Sequence, residues 1–143
     1  MKITRETDHA IKCILYLCIQ QYECISVAEL SEKLNIPRQF LAKIVQKLSK
    51  AGLLESQQGK QGGFRLTSHP SEVNLYDVFI AIQSVPVVNS CVVDNHFCER
   101  TSFCAVHNVW MDVQADIIKK LKETDFMTLS RNEFESLRKL QTK

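Results

Sequence analysis

The chain has 143 residues, 45% of them hydrophobic and 24% charged, with a formal net charge of +2. That length holds one domain with a sizeable core, or a small domain with a dimerisation arm, and is short for a multidomain enzyme. The composition excludes a disordered or fibrous protein, and so small a net charge does not by itself announce nucleic acid.

The distribution of charge says more. Between Ile36 and Leu66 lie Arg38, Lys43, Lys47, Lys50, Lys60 and Arg65 against one acid, Glu55. One region of the chain is therefore locally basic. The alternating charges of Lys2, Arg5, Glu6 and Asp8, and the Lys12 that interrupts the apolar run after them, read as neither an export signal nor a membrane span. The expected compartment is the reducing cytoplasm. There, the six cysteines are expected as thiols, metal ligands or redox groups rather than structural disulfides.

Taken in chain order, a first helix is expected over about 7–20, burying Ala10, Ile14, Leu17 and Cys18 on one face. Ser26-Val27-Ala28-Glu29 has the form of a capping box and should open a short helix to about Leu34. Pro37 fits the first turn of a third helix running to about Ala51, with Leu41, Ile44, Val45 and Leu48 inward and Gly52 closing it. Two short β-patterns, 53–56 and 63–67, flank a polar, glycine-bearing connection and predict a hairpin. Three helices and a hairpin in this order make a winged helix-turn-helix domain. The expected class is thus mainly α with a small β-hairpin wing: residues 1–70 form the DNA-binding domain, and 71–143 a loop and dimerisation-helix region.

Asn74 is placed to cap a helix reaching about Gln83, and Pro86 ends that segment. Residues 87–100 lack helical periodicity and read as a loop. From about Ser102 to Glu123 a long helix carries Val106, Trp110, Val113, Ile117 and Leu121 at three- and four-residue spacing, a stripe suited to packing against a second subunit. A short helix near 128–134 and a mobile polar tail complete the expectation.

The sharpest chemical pattern is Cys91-x6-Cys98-x5-Cys104-x2-His107. Thiolates are the soft donors that iron–sulfur clusters and zinc select, and an imidazole can replace one of them. The spacing is wider than the paired knuckle of ordinary zinc sites. Asp8 is a second candidate to complete the set, as a harder and weaker donor. Cys13, Cys18 and Cys24 show no such clustering and read as packing residues. On the DNA side, Arg38, Gln39, Lys43 and Lys47 lie on the third helix, with Lys60 and Arg65 on the wing. Arginine and glutamine read base edges, lysines hold phosphate, and Gly59, Gly62 and Gly63 are expected to let backbone approach it. An enzyme using Cys98 or Cys104 as nucleophile with His107 or His96 as base lacks an orienting acid, so no catalytic residues are assigned.

Taken together, the Thr7-Asp8-His9-Ala10 opening, Ile36-Pro37-Arg38-Gln39-Phe40-Leu41, Ala51-Gly52-Leu53-Leu54-Glu55-Ser56, the wing Gly59-Lys60-Gln61-Gly62-Gly63-Phe64-Arg65-Leu66 and the cysteine triplet resemble the IscR/NsrR-type family of iron–sulfur winged-helix regulators. The resemblance implies a homodimer joined through the long helix, a repressor or activator on a palindromic double-stranded DNA operator, and a cluster on Cys91, Cys98 and Cys104. It implies His107 as fourth ligand of a 2Fe-2S cluster in the IscR branch, or Asp8 as fourth ligand of a nitric oxide-reactive 4Fe-4S cluster in the NsrR branch. Both residues are present, so the branch stays open. The first cysteine interval is one residue longer than in the IscR branch, and Ala42 stands where relatives often carry an acid. The alternatives are a cluster-free winged-helix regulator answering to a metabolite or partner protein, and a thiol-based redox switch.

Overall fold

The computed structural model describes residues 1–20 and 23–142. Helix α1, Arg5–Ile19, opens two residues earlier than its apolar stripe suggests, because the Thr4 hydroxyl accepts the Thr7 N–H at 3.2 Å and caps it. Glu6 and Asp8 then sit in the first turn, where the helix dipole favours acids. Its inner face, Ala10, Cys13, Ile14, Leu17 and Cys18, is buried. Helix α2, Val27–Leu34, is capped by Ser26, whose Oγ accepts from the Glu29 N–H at 3.1 Å; this is one half of the expected box. Asn35, at φ 52°, turns the chain through the left-handed region.

Pro37 is the cap of α3, Arg38–Lys50, rather than its first helical residue, and the four predicted inward residues are all buried. Gly52, at φ 79°, ends the helix. Strands β1, Leu54–Gln57, and β2, Gly63–Leu66, pair antiparallel with Leu54 opposite Leu66 and Gln57 opposite Gly63. The hairpin is pinned to the body by a bridge: Ile25 N–H donates to Phe64 O at 3.0 Å and Phe64 N–H to Ile25 O at 2.8 Å.

Helix α4, Leu75–Ile82, has a complete capping box between Asn74 and Asp77, both bonds 3.0 Å. Helix α5, Ala105–Glu123, starts three residues later than its periodicity suggests, with Cys104 at the cap position. Helix α6, Phe126–Gln141, replaces the expected short helix and mobile tail. Asp125 caps it by accepting from the Thr128 N–H at 2.8 Å, and Phe126 is fully buried beneath it. Packing on α1 lets so polar a segment stay helical.

A single apolar core takes residues from both halves of the chain: Ile14, Leu30, Leu41, Ile44 and Leu48 meet Val73, Val78, Ile82 and Phe126. Helix α1 is its hub, packing on α3, α4 and α6. Among the described residues no helix is long and apolar enough to cross a membrane.

Candidate cysteine site and nucleic-acid interface

The loop between α4 and α5 is fastened to α5 by one side chain. Gln114, buried to 7% exposure, accepts the Val88 N–H at 2.9 Å through Oε1 and donates from Nε2 to the Pro86 carbonyl. Beyond this anchor a single 3₁₀ turn, Ser90–Val92, packs on α5 and carries Cys91. Local turns follow: Phe97 N–H to Asp94 O at 3.1 Å, Thr101 N–H to Cys98 O at 3.1 Å, and His107 N–H to Cys104 O at 3.1 Å across the helix start.

These turns bring Cys91, Cys98, Cys104 and His107 to the wall of one cavity of about 200 Å³, with Asn89, Phe97, Thr101, Val106 and Trp110 completing the lining. All three cysteines are free thiols; Cys98 is exposed and the other two half-buried. The Nδ1 atom of His107 is buried without a hydrogen-bond partner. A buried polar atom left unpaired is costly. Among the described residues no three His, Cys, Asp or Glu side chains converge on a point where one metal ion would sit. The four residues share a cavity wall without such a convergence.

Asp8 does not line this cavity. It lies on the exposed part of α1, paired with Lys12 at 2.7 Å. Cys13 and Cys18 are buried packing residues as expected, and burial pushes both thiols up to about 12. Cys24 departs from that reading. It is half-buried, and its thiol donates to Gln57 Oε1 at 3.1 Å, between the end of α1 and the hairpin.

The basic residues lie outward. Arg38, Gln39 and Lys43 are exposed on the amino-terminal half of α3, and Lys60 is exposed in the wing. Lys47 faces α1 and pairs with Glu6 at 2.6 Å, and Arg65 pairs with Glu55 across the hairpin at 2.5 Å. Phe40, which the sequence reading passed over, is 64% exposed beside them. The glycines divide: a side chain at Gly62 would strike the Gln57 carbonyl, and one at Gly63 the backbone of Ile25 and Ser26. The close approach of these two is to their own chain, so their absent side chains seat the wing. Gly59, at φ 117° and open around it, supplies the turn.

Of the expected interface stripe on α5, Val106, Trp110 and Val113 are exposed, with Val109 and Met111 beside them, while Ile117 and Leu121 are half-buried. Gln114 was not singled out by the sequence, and Gln83 only as a helix end. The signal for Gln114 was a lone amide four residues after Trp110, on a face that continues through Ile117, Ile118 and Leu121.

A helical core with α2 and α3 as the helix-turn-helix pair and a two-stranded hairpin behind α3 defines a winged-helix DNA-binding protein. Residues 3–132 match the Rrf2 family, described as iron-dependent transcriptional regulators, and the chain belongs to that family: it is a transcriptional regulator, not an enzyme. Over 135 residues it is 27% identical to the HTH-type transcriptional regulator NsrR of Shouchella clausii, covering 93% of this chain and 91% of that protein. It superposes on CymR, the global cysteine regulator of B. subtilis, with a TM-score of 0.78 at 20% identity, over 92% of this chain and 98% of that one. It also superposes on T. potens IscR, with a TM-score of 0.76 at 19% identity, over 95% and 90%. At these identities the two structures establish the fold.

Proposed function

We propose that the protein is a homodimeric, operator-binding regulator whose signal enters through an iron–sulfur cluster held by Cys91, Cys98, Cys104 and His107. The observation that carries this is that three free thiols and His107 line one cavity, with the His107 Nδ1 buried and without a hydrogen-bond partner. The donor set suits the group: three thiolates and one neutral imidazole are soft and borderline ligands for cluster iron. Donors spaced around a cavity suit a body of several atoms better than a lone zinc ion. When bound, the cluster supplies a one-electron redox centre reactive toward oxidants and nitric oxide. Within one protomer His107 is the better-placed fourth donor, since it lines the cavity and Asp8 does not.

The rest follows from the chain's own residues. Residues 1–70 grip DNA, with Arg38 and Gln39 reading base edges, Lys43, Lys60 and Arg65 holding phosphate, and Lys47 released from Glu6 to join them. Residues 71–143 carry the sensor and the dimer contact, in which Val106, Trp110, Val113, Ile117 and Leu121 meet a second copy. Two reading helices held roughly 34 Å apart would meet successive major grooves on one face of an operator. Ordering of the 91–104 loop against α5 sets that separation, and the signal acts through the different DNA affinities of the ordered and relaxed states.

Anaerobically purified protein should be brown, with iron and sulfide in stoichiometric amounts, and His107→Ala should alter the spectrum or release the cluster. Operator affinity should differ between cluster-loaded and cluster-free protein. A colourless protein, or equal affinity in both forms, rejects the reading. In that case the thiol-redox alternative gains ground, because three free cysteines on one cavity, one of them exposed, also suit oxidation by a peroxide-class oxidant to a disulfide and water. Its signature would be the loss of two thiols by alkylation counting.

A further inference from the structure

The last residue before the cysteine loop is gripped by the first turn of the opening helix. Gln83 caps the end of α4, and its Oε1 accepts from the Thr4 N–H at 3.3 Å, the Thr4 hydroxyl at 3.1 Å and the Thr7 hydroxyl at 2.5 Å. Its Nε2 donates to the Lys2 carbonyl at 3.1 Å. Thr7 is fully buried, so its hydroxyl has no water to turn to. The neighbouring Glu6 reaches the other way and pairs with Lys47 of α3 at 2.6 Å.

The chain after Gln83 is also constrained. Ser84 stands at φ 91°, a left-handed conformation that strains a residue with a side chain. Two residues later Pro86 is buried, with its carbonyl held by Gln114 of α5. The entry to the cysteine loop is thus clamped to α1 on one side and to α5 on the other, with a strained residue between the clamps.

We infer that Gln83 is a positioning residue that couples the cysteine loop to the reading helix: a change in the loop entry moves the start of α1, and α1 carries α3 with it. The inference rests on the regulator reading above, though not on what the cysteines bind. Adjacency alone does not establish coupling, but coupling is reciprocal, so DNA on α3 must alter the loop as strongly as the loop alters DNA binding. That permits a test with no cluster present.

The cluster-free full-length protein is alkylated with iodoacetamide, with and without a saturating duplex that the protein itself has selected from a random-sequence pool. Rates at Cys91 and Cys104 are read by mass spectrometry, and duplex occupancy by fluorescence anisotropy. In the wild type the duplex should change these rates roughly fivefold or more. In Gln83→Leu the change should fall below about twofold while the duplex still binds, and Gln83→Glu, which keeps the accepting oxygens at a helix amino terminus, should restore it. No change in the wild type, or an undiminished change in Gln83→Leu, overturns the inference. If circular dichroism shows Gln83→Leu unfolded, Thr7→Val removes the shortest of the bonds at nearly constant volume and is held to the same outcomes. A colourless protein would defeat the cluster reading and leave this result standing on its own.

Discussion

Replacing Gln114 with leucine tests whether one amide holds the cysteine loop in place. The side chain satisfies two backbone groups, the Val88 N–H and the Pro86 carbonyl, and is itself buried. Leaving each of those groups without a partner costs roughly 1–2 kcal/mol, about 2–4 kcal/mol together. Leucine has a similar volume and returns about 1 kcal/mol through apolar burial, so the net loss should be about 1–3 kcal/mol. At roughly 3–4 °C per kcal/mol for a chain of this length, the melting midpoint should fall by about 3–12 °C at fixed protein concentration. The loop has an alternative, which is to detach and let water satisfy the two groups. The loss would then appear less in the global midpoint than as local opening. Thermal denaturation is therefore paired with limited trypsin digestion, in which cleavage after the exposed Arg100 reports opening. A midpoint within about 1 °C of wild type together with unchanged cleavage at Arg100 would refute the argument that Gln114 anchors the loop.

Gly63→Ala forces a methyl into the backbone of Ile25 and Ser26, and urea denaturation should show a loss of about 1–3 kcal/mol; a change under about 0.5 kcal/mol would mean the wing is not seated there. Asp125 is held below its ordinary carboxyl value of 3.8 chiefly by the Thr128 backbone N–H. Its folded pKa is depressed, so its contribution is complete above the unfolded value and is lost as pH falls through the folded one. Asp125→Ala should cost about 1 kcal/mol at neutral pH, with the difference from wild type shrinking below about pH 4; a difference that grows toward acid would contradict the sign. Thiols pushed up to about 12 are inert at pH 8, so native protein should lose Cys98 to iodoacetamide well before Cys13 or Cys18. Equal rates would show that α1 opens readily.

Much of the fold is legible in the chain because its signals are local. The inward faces of α1 and α3 follow from three- and four-residue spacing, and Leu41, Ile44, Val45 and Leu48 are buried as that spacing implies. Caps at Ser26 and Asn74 and the stop at Gly52 depend on neighbours a few residues away. Errors cluster where local signal and packing part company. Helix α6 looks like a fraying tail by composition, yet it is held by Phe126 in a core assembled from distant residues. The glycines of the wing looked like openings for phosphate, and two of them make room for their own backbone.

By itself, the sequence marked the spaced cysteines and His107 as candidate donors, made the third helix basic, and set the order of helices that makes a winged domain. Periodicity, capping and side-chain type are properties of short stretches, so they can be read along a line. Only the tertiary structure decided that Cys91, Cys98, Cys104 and His107 face one cavity while Asp8 turns away to Lys12. It alone joined Gln83 to Thr7, and Gln114 to Pro86 and Val88. Hydrogen bonds between residues far apart in the chain depend on how helices pack, and no local pattern encodes the partner.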